Sequence, residues 1–571
     1  MNHIRTRRSI MSTGISRRSF LTGSALGAMG LFGGAALAGC APGQAAQASG
    51  EASKAGSQAN AAGEPSWLSA PDAIAENDIV ETIETDVLVI GAGLAGTAAA
   101  LSAAENGLSV VVAEKMEQIS ERGAGAGTIN CAASVAFDDG TCTSIEDAQF
   151  RWMQTCGNRP NEALIAQYLN RSGEAGDWLA DRAEAHGCHV GIWDGYSRNP
   201  LLPDEPGYLI VNGGDDLERP DMPFVAPEVL YLDSVAAGAT YLFEAPAEQL
   251  VVNESGAVEG AILNTGEGYK KVLASKGTVL ATGDIGGSQE MCDYYCPVAN
   301  TIPNIYTPQG ANSGDGHKMA LWAGAEMQEG PFPTALHPQR WADPSSNQLE
   351  GPFLYVTEQG KRFFNEGTWV QARSLQIMQN TADDCAYSIF DASWPEDLLD
   401  SFSAGGGMFW DMFREKGSST YQTTVEYYRE SIEKYLDSVY FKADSLEELA
   451  KKIGVPADEF VATVERYNQL CANGYDEDFH KAKQFLYPID TPPYYASKVG
   501  AVLLVVVGGV RVNTDLQCIN AEGAGVQGLY AVGNVSGDIH AVDYPINVPG
   551  NSHGRALTQG YLVGRTLAGV E

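Results

Sequence analysis

Three glycines between residues 91 and 96 are spaced to hold a doubly charged anion. Gly91-Ala92-Gly93-Leu94-Ala95-Gly96 follows the apolar run Thr85-Asp86-Val87-Leu88-Val89-Ile90, and Glu114 closes a second apolar run, Val110-Val111-Val112-Ala113. Gly91 permits a tight turn, Gly93 lets backbone amides approach a pyrophosphate, and Gly96 lets helix and strand pack closely. The amides and dipole of the helix N-terminus then hold the anion. Glu114 stands where a ribose hydroxyl needs an acceptor. The pattern predicts strand, turn, Ala-rich helix and second strand, with Ala92 and Ala95 as the small residues of the turn. Lys115, Arg122, Gly123 and Gly127 complete the expected cofactor-binding set on this side.

Two more Gly-rich turns follow predicted strands. Gly277-Thr278-Val279-Leu280 runs into Ala281-Thr282-Gly283-Asp284, and Gly528-Leu529-Tyr530-Ala531-Val532 runs into Gly533-Asn534. Strand-like segments at 241–244, 249–252 and 258–263 lead to the first of these. Asn551-Ser552 opens a C-terminal helical stretch whose first amides suit a negative charge. A nicotinamide enzyme normally uses one such turn. Three brought together suit a longer, flatter dinucleotide, so FAD is favoured over NAD.

The elements ahead of this unit concern location. Residues 1–39 hold five Arg and no acid, and Ser16-Arg17-Arg18-Ser19-Phe20-Leu21 opens a weakly apolar Gly/Ala/Leu run. This resembles a twin-arginine export signal. It is too poor in large apolar residues for a spanning helix. Leu37-Ala38-Gly39-Cys40 resembles a lipoprotein processing box, which implies lipid anchoring through Cys40 outside the cytoplasm. Residues 40–80, rich in Ala, Gly, Ser and Gln, are expected to be a disordered linker.

Net charge is −36. Nucleic acid is therefore excluded as a partner on electrostatic grounds, because a phosphate backbone needs a basic footprint. The ten cysteines lack zinc-ligand spacing, so no metal site is expected. No C-x-x-C-H motif is present, so no c-type haem is attached. Cys292 and Cys296 are expected to be separate buried thiols, with a disulfide left open.

Several signatures together carry a family resemblance over residues 82–571. They are the first Gly-rich unit with Glu114-Lys115, the Ala-Thr-Gly-Asp turn, Gly314-Asp315-Gly316-His317-Lys318-Met319-Ala320 and Gly360-Lys361-Arg362-Phe363-Phe364-Asn365-Glu366. Thr463-Val464-Glu465-Arg466-Tyr467-Asn468 and Gly-Leu-Tyr-Ala-Val-Gly complete the set. The chain is similar to soluble fumarate reductases and related exported flavin reductases. The resemblance implies an α/β fold: a Rossmann-like FAD-binding domain in two segments, 80–331 and 506–571, with an α+β capping domain, 332–505, inserted between them. Ser445-Leu446-Glu447-Glu448 and Pro456-Ala457-Asp458-Glu459 predict two helix starts inside that insertion.

The resemblance also implies chemistry. Hydride passes from flavin N5 to the β-carbon of an activated double bond, a side-chain acid protonates its neighbour, and cations hold the activating group. His337 stands where the family has a substrate histidine. The family's proton-donating Arg falls on Val370, with Arg373 one helical turn on. Its feeder Glu and Arg fall near Ser346 and Leu349, its second histidine among Val505-Val506-Val507, and its clamping Arg on Asn547. Fumarate is therefore disfavoured. Tyr544-Pro545 is similar to a ketosteroid dehydrogenase segment in which a Tyr hydroxyl binds the substrate ketone. Tyr544 is the expected acid or carbonyl donor, with His540 or Arg555 assisting.

Gly405-Gly406-Gly407-Met408-Phe409-Trp410 is expected to be either loop and cap core or an aromatic lid. The expected activity is reduction of an activated C=C bond in a small organic molecule. FAD would be bound non-covalently, with electrons from a membrane-bound cytochrome or quinol donor. A dehydrogenase introducing the double bond, or a non-catalytic flavin electron carrier, are the alternatives.

Overall fold

Val87, Leu88, Val89 and Ile90 are all buried, because the sheet they enter is covered on both faces, as a parallel sheet requires. The computed structural model describes residues 65–571 except 121, 194–204, 223, 306, 342–348, 350 and 403–420. The expected signal, Cys40, most of the expected linker, Ser346 and the 405–410 stretch lie outside the described residues.

Strand β1 (Ile79–Ile90) sits near the centre of an eight-stranded sheet. It pairs in parallel with β2 (Val110–Ala113) and with the long strand Gly268–Leu280. Gly525–Ala531 continues the sheet beyond Gly268–Leu280, and Thr240–Leu242 continues it beyond β2, both in parallel. Strands Ala247–Val252 and Val258–Thr265 form an antiparallel meander onto Gly268–Leu280. Helix α1 (Leu94–Glu105) is buried from Leu94 to Ala104. It packs against the C-terminal helix Asn551–Ala568, where the Ser102 hydroxyl donates to the Tyr561 carbonyl at 2.7 Å. The two segments of the flavin-type half thus meet face to face, although about 450 residues of chain separate them.

The inserted stretch carries its own antiparallel sheet, ordered Leu354–Val356, Ala386–Phe390, Tyr494–Val499, Tyr440–Ala443. Helices Leu446–Ile453 and Ala457–Asn473 pack on it through Leu449, Phe460 and Val464. Both begin where the sequence signals placed them. The Ser445 hydroxyl accepts from the Glu448 amide at 3.2 Å. Family-motif residues of this stretch form a buried ion network. Arg362 pairs with Glu366 and Asp476, each at 2.8 Å, and Lys481 lies 3.3 Å from Glu366, all with side chains almost wholly buried. The chain enters and leaves the insertion through the antiparallel pair Thr334–His337 and Val502–Val506.

The linker expectation needs correction from residue 65 on. Trp67 is 5 % exposed and packs on Tyr295 at 5.5 Å, and Tyr295 stacks on Phe332 at 4.4 Å. Trp322 donates its indole N–H to the Trp67 carbonyl at 3.0 Å. One large aromatic in a weakly patterned stretch suffices to dock it, because a tryptophan buries so much apolar area. Cys292 and Cys296 are free, buried thiols, as expected.

Candidate active site

The register aligns four strand ends in one row. Ile90 pairs with Ala113 and Leu280, and Ala531 pairs with Leu280. The three Gly-rich turns and Glu114 therefore leave the same carboxyl edge of the sheet, where open α/β sheets bind ligands. A cavity of about 420 Å³ lies there, lined by Gly91, Gly93, Ala95, Glu114, Lys115, Arg122, Thr282, Gly283, Gly533, Asn534 and Ser552. Its volume is in the range of a ligand site.

The turn after β1 has the geometry the glycines predict. A methyl on Gly91, whose φ is +105°, would stand 2.5 Å from the Ala281 carbonyl oxygen, and one on Gly96 would stand 1.9 Å from the Gly91 oxygen. A methyl on Gly93 would meet only Ser120, at 4.0 Å. Gly93 caps α1 with no side-chain hydrogen bond, so the first amides of the helix face open space. This cradle fits a pyrophosphate. Glu114 is buried, and its carboxylate accepts from the Ala92 amide at 2.7 Å and the Met116 amide at 2.9 Å. Each oxygen keeps a lone pair for a ribose hydroxyl. Lys115 is drawn to Asp315 at 2.9 Å and Ser313 at 2.6 Å.

Other expected cofactor residues stand behind the cavity wall. Asp284 is fully buried, burial raises its carboxyl above the usual range, and Arg122 lies 3.5 Å away. Arg122 also donates to the Leu504 carbonyl, which ties the cavity to the strand leaving the insertion. Gly123 faces His553, an imidazole that burial drives down to about 4 and so keeps neutral. Gly127 accepts from the Tyr168 hydroxyl at 2.7 Å and donates to the Gly550 carbonyl at 2.9 Å. It packs the start of the last helix and does not line the cavity. Asn551 also points inward. It accepts from His540 Nε2 at 2.7 Å if that nitrogen carries the proton, and it donates to the Pro545 and Val548 carbonyls.

Beside Ser552 three of the expected catalytic residues gather, Tyr544, His540 and Arg555. The Ser552 amide donates to the Tyr544 phenol oxygen at 3.1 Å. Burial pushes that phenol up to about 12. His540 is fully buried, stacks on Tyr544 at 5.4 Å and meets Trp152 in a tilted contact at 5.6 Å. Burial first, then Arg555, hold its imidazole far below the ordinary range. Arg555 is fully buried and donates to Asn534 Oδ1 at 2.6 Å and the Ser536 carbonyl at 3.2 Å. Burial lowers it to about 10. His337 ends the strand Thr334–His337 and is buried.

Arg373 does not join them. It lies on helix Val370–Asn380, 2 % exposed, and donates to the carbonyls of Thr368 at 2.9 Å and Gly351 at 3.4 Å. Its side chain is buried against local carbonyls and does not face solvent. Helical periodicity fixed its turn, but local carbonyls fixed its direction. Gln371, two residues earlier, reaches the Tyr544 loop instead: its Nε2 lies 3.3 Å from Asp543 Oδ1. Sequence spacing gave no sign of that contact, nor of Asn312 and Arg219 in the cavity wall.

The chain matches the model of the FAD binding domain over residues 86–544. It is 25% identical to a vinyl phenol reductase of Lactiplantibacillus plantarum, over 85% of this chain and 96% of that protein. It is also 25% identical to a 3-oxosteroid 1-dehydrogenase of Mycolicibacterium smegmatis, over 85% of this chain and 97% of that one. Among solved structures, the open conformation of a flavocytochrome c3 fumarate reductase superposes with a TM-score of 0.63 at 25% identity, covering 86% of this chain and 79% of that chain. With the cradle, the strand-end row and a match over most of its length, the chain belongs to the FAD binding domain family, as a flavoprotein of the fumarate reductase and succinate dehydrogenase type that acts on CH–CH groups.

Proposed function

We propose that this FAD-dependent oxidoreductase reduces a C=C bond conjugated to a carbonyl in an aromatic or steroid-like molecule. Bound FAD, held non-covalently, supplies the hydride. The observation that carries this reading is the meeting of the Tyr544 hydroxyl with the Ser552 amide at the N-terminus of the last helix. The Tyr544 oxygen accepts from that amide, which leaves the phenol O–H to donate to a substrate oxygen, and the helix dipole adds positive potential there. That corner suits a carbonyl oxygen that gains charge as the double bond is reduced. The similarity to a vinyl phenol reductase and a 3-oxosteroid dehydrogenase supports a ring-bearing substrate. A dicarboxylate fits poorly. Asn547 is buried and donates to the Ala148 carbonyl, and Leu349 is buried beneath Tyr440.

The twin-arginine-like leader and Cys40 support an enzyme anchored outside the cytoplasm, fed by a membrane-bound quinol-oxidising cytochrome. The reverse direction, insertion of the double bond, is favoured by the 3-oxosteroid 1-dehydrogenase likeness. Purified holoenzyme reduced with methyl viologen separates these. Reoxidation of the flavin by cyclic enones but not fumarate is expected. Equal use of fumarate, or turnover only of the saturated ketone, overturns the proposal.

A further inference from the structure

Arg555 is a buried cation without an acid. It is 0 % exposed, and it donates to Asn534 Oδ1 at 2.6 Å and to the Ser536 carbonyl at 3.2 Å. Its Nε is buried with no hydrogen-bond partner. Among the described residues no carboxylate pairs with it. The titratable groups facing it are the Tyr544 and Tyr168 phenols and the His540 imidazole, all kept uncharged at neutral pH by burial. Arg362, buried in the insertion, is by contrast matched by Glu366 and Asp476. A guanidinium keeps its proton in a protein, and an isolated buried charge is costly. A charge kept at that cost calls for an anion from outside the chain.

Its contacts place it against the cavity. Asn534 and Ser552 both line that cavity, as do His553 and Ala556 on either side of Arg555 in the last helix. Asn534 Oδ1 accepts from Arg555 Nη2 and from the Ser552 hydroxyl, the latter at 2.8 Å. A guanidinium only donates, so this contact fixes which end of the Asn534 amide is the oxygen. The Asn534 Nδ2 hydrogens, without a partner among the described residues, are left for an acceptor in the cavity. Arg555 thus stands one side chain behind the cavity wall. It lies in the first turns of the last helix, where the helix dipole carries the same positive sign.

We propose that Arg555 is a positioning residue for the flavin: it aims the Asn534 amide at the pyrimidine part of the ring and supplies the counter-charge for the reduced form. The pyrophosphate and the adenosine ribose of FAD fall to the α1 cradle and Glu114, which leaves the wall of Asn534 and Ser552 for the flavin ring. Uptake of two electrons and one proton puts one net negative charge on that ring. A guanidinium one side chain away, acting through protein of low dielectric, favours the charged form over the neutral oxidised one. The consequence is a raised midpoint potential. The inference needs bound FAD and not the enone reading. A substrate oxygen that gains charge is the other anion able to answer this cation, and it is missing from a potential measured without substrate.

The test reduces wild-type, Arg555→Gln, Arg555→Lys and Asn534→Asp holoenzymes with dithionite beside indicator dyes, with no substrate present, and reads the flavin midpoint potential from absorbance. Arg555→Gln keeps a donor for Asn534 and loses the charge. It is expected to lose about tenfold or more of the preference for reduced over oxidised flavin, a fall of about 30 mV or more for a two-electron couple. Arg555→Lys keeps the charge and is expected to retain most of the wild-type potential. Asn534→Asp keeps the shape, gives Arg555 an acid and is expected to lower the potential as Arg555→Gln does. A wild-type potential in Arg555→Gln, or in Asn534→Asp if Arg555→Gln holds no FAD, overturns the proposal. If Arg555→Gln at that unchanged potential is also slow to be reoxidised by enones, the cation serves the substrate oxygen instead. An equal fall in Arg555→Lys and Arg555→Gln also overturns it, because packing rather than charge would then be at work.

Discussion

Glu114 Oε2 accepts from the Ala92 amide at 2.7 Å, so the acid at the end of one strand pins the glycine turn at the end of its neighbour. Hydrogen bonds to a charged group are worth about 1.5–3 kcal/mol each. Glu114→Ala removes two of them and any ribose contact. FAD affinity of the apoprotein, followed by quenching of flavin fluorescence, is expected to drop by at least about tenfold. Unchanged affinity would show that the turn holds without its acid.

Tyr544→Phe deletes the hydroxyl that meets the Ser552 amide. Loss of one donor to a developing oxyanion costs about 10²–10³ in kcat. We expect a fall of that order with cyclic enones, with FAD still bound. A variant that turns over normally would move the carbonyl site elsewhere.

Glu366→Gln leaves Arg362 and Lys481 facing each other in a buried setting with one acid fewer. Breaking a buried pair in this way costs about 3–5 kcal/mol. The expected sign is a lowered Tm by calorimetry, with near-normal kcat at temperatures where the protein stays folded. Loss of kcat without loss of Tm would make Glu366 a chemical residue.

Acid should weaken the fold. Burial depresses His317 and His553 to about 4, while in the unfolded chain both titrate near 6.5. Between those values the unfolded state binds protons that the folded state does not, so stability falls as pH falls. Each group contributes about 1.4 kcal/mol per pH unit across that window and nothing well above it. Urea midpoints at about pH 7 and about pH 5 measure this, and His317→Gln is expected to flatten the difference. A midpoint independent of pH would contradict the buried, neutral state of these rings.

Patterns that act through nearest neighbours were readable from the chain. The run Val87–Ile90, the glycine spacing that follows it and the Ser445 cap all encode their own geometry within a few residues. Spacing was blind to direction and to distance. It placed Arg373 and Asn551 in the right elements, but not their hydrogen bonds to the carbonyls of Thr368 and Pro545. Gln371 meets Asp543 across 172 positions of sequence, a contact that only the packed insertion creates. Lys481 reaches Glu366 in the same way.

Trp67 anchors the described residues ahead of the first strand to the interior. Its indole fills a slot against Tyr295, which lies in turn against Phe332 at the entry to the insertion. Shortened versions made for crystallisation or spectroscopy should therefore keep Trp67. Trimming at the first obvious strand would strip a plug from the interior and bare an oily notch, inviting aggregation in a protein whose outer charge otherwise keeps copies apart.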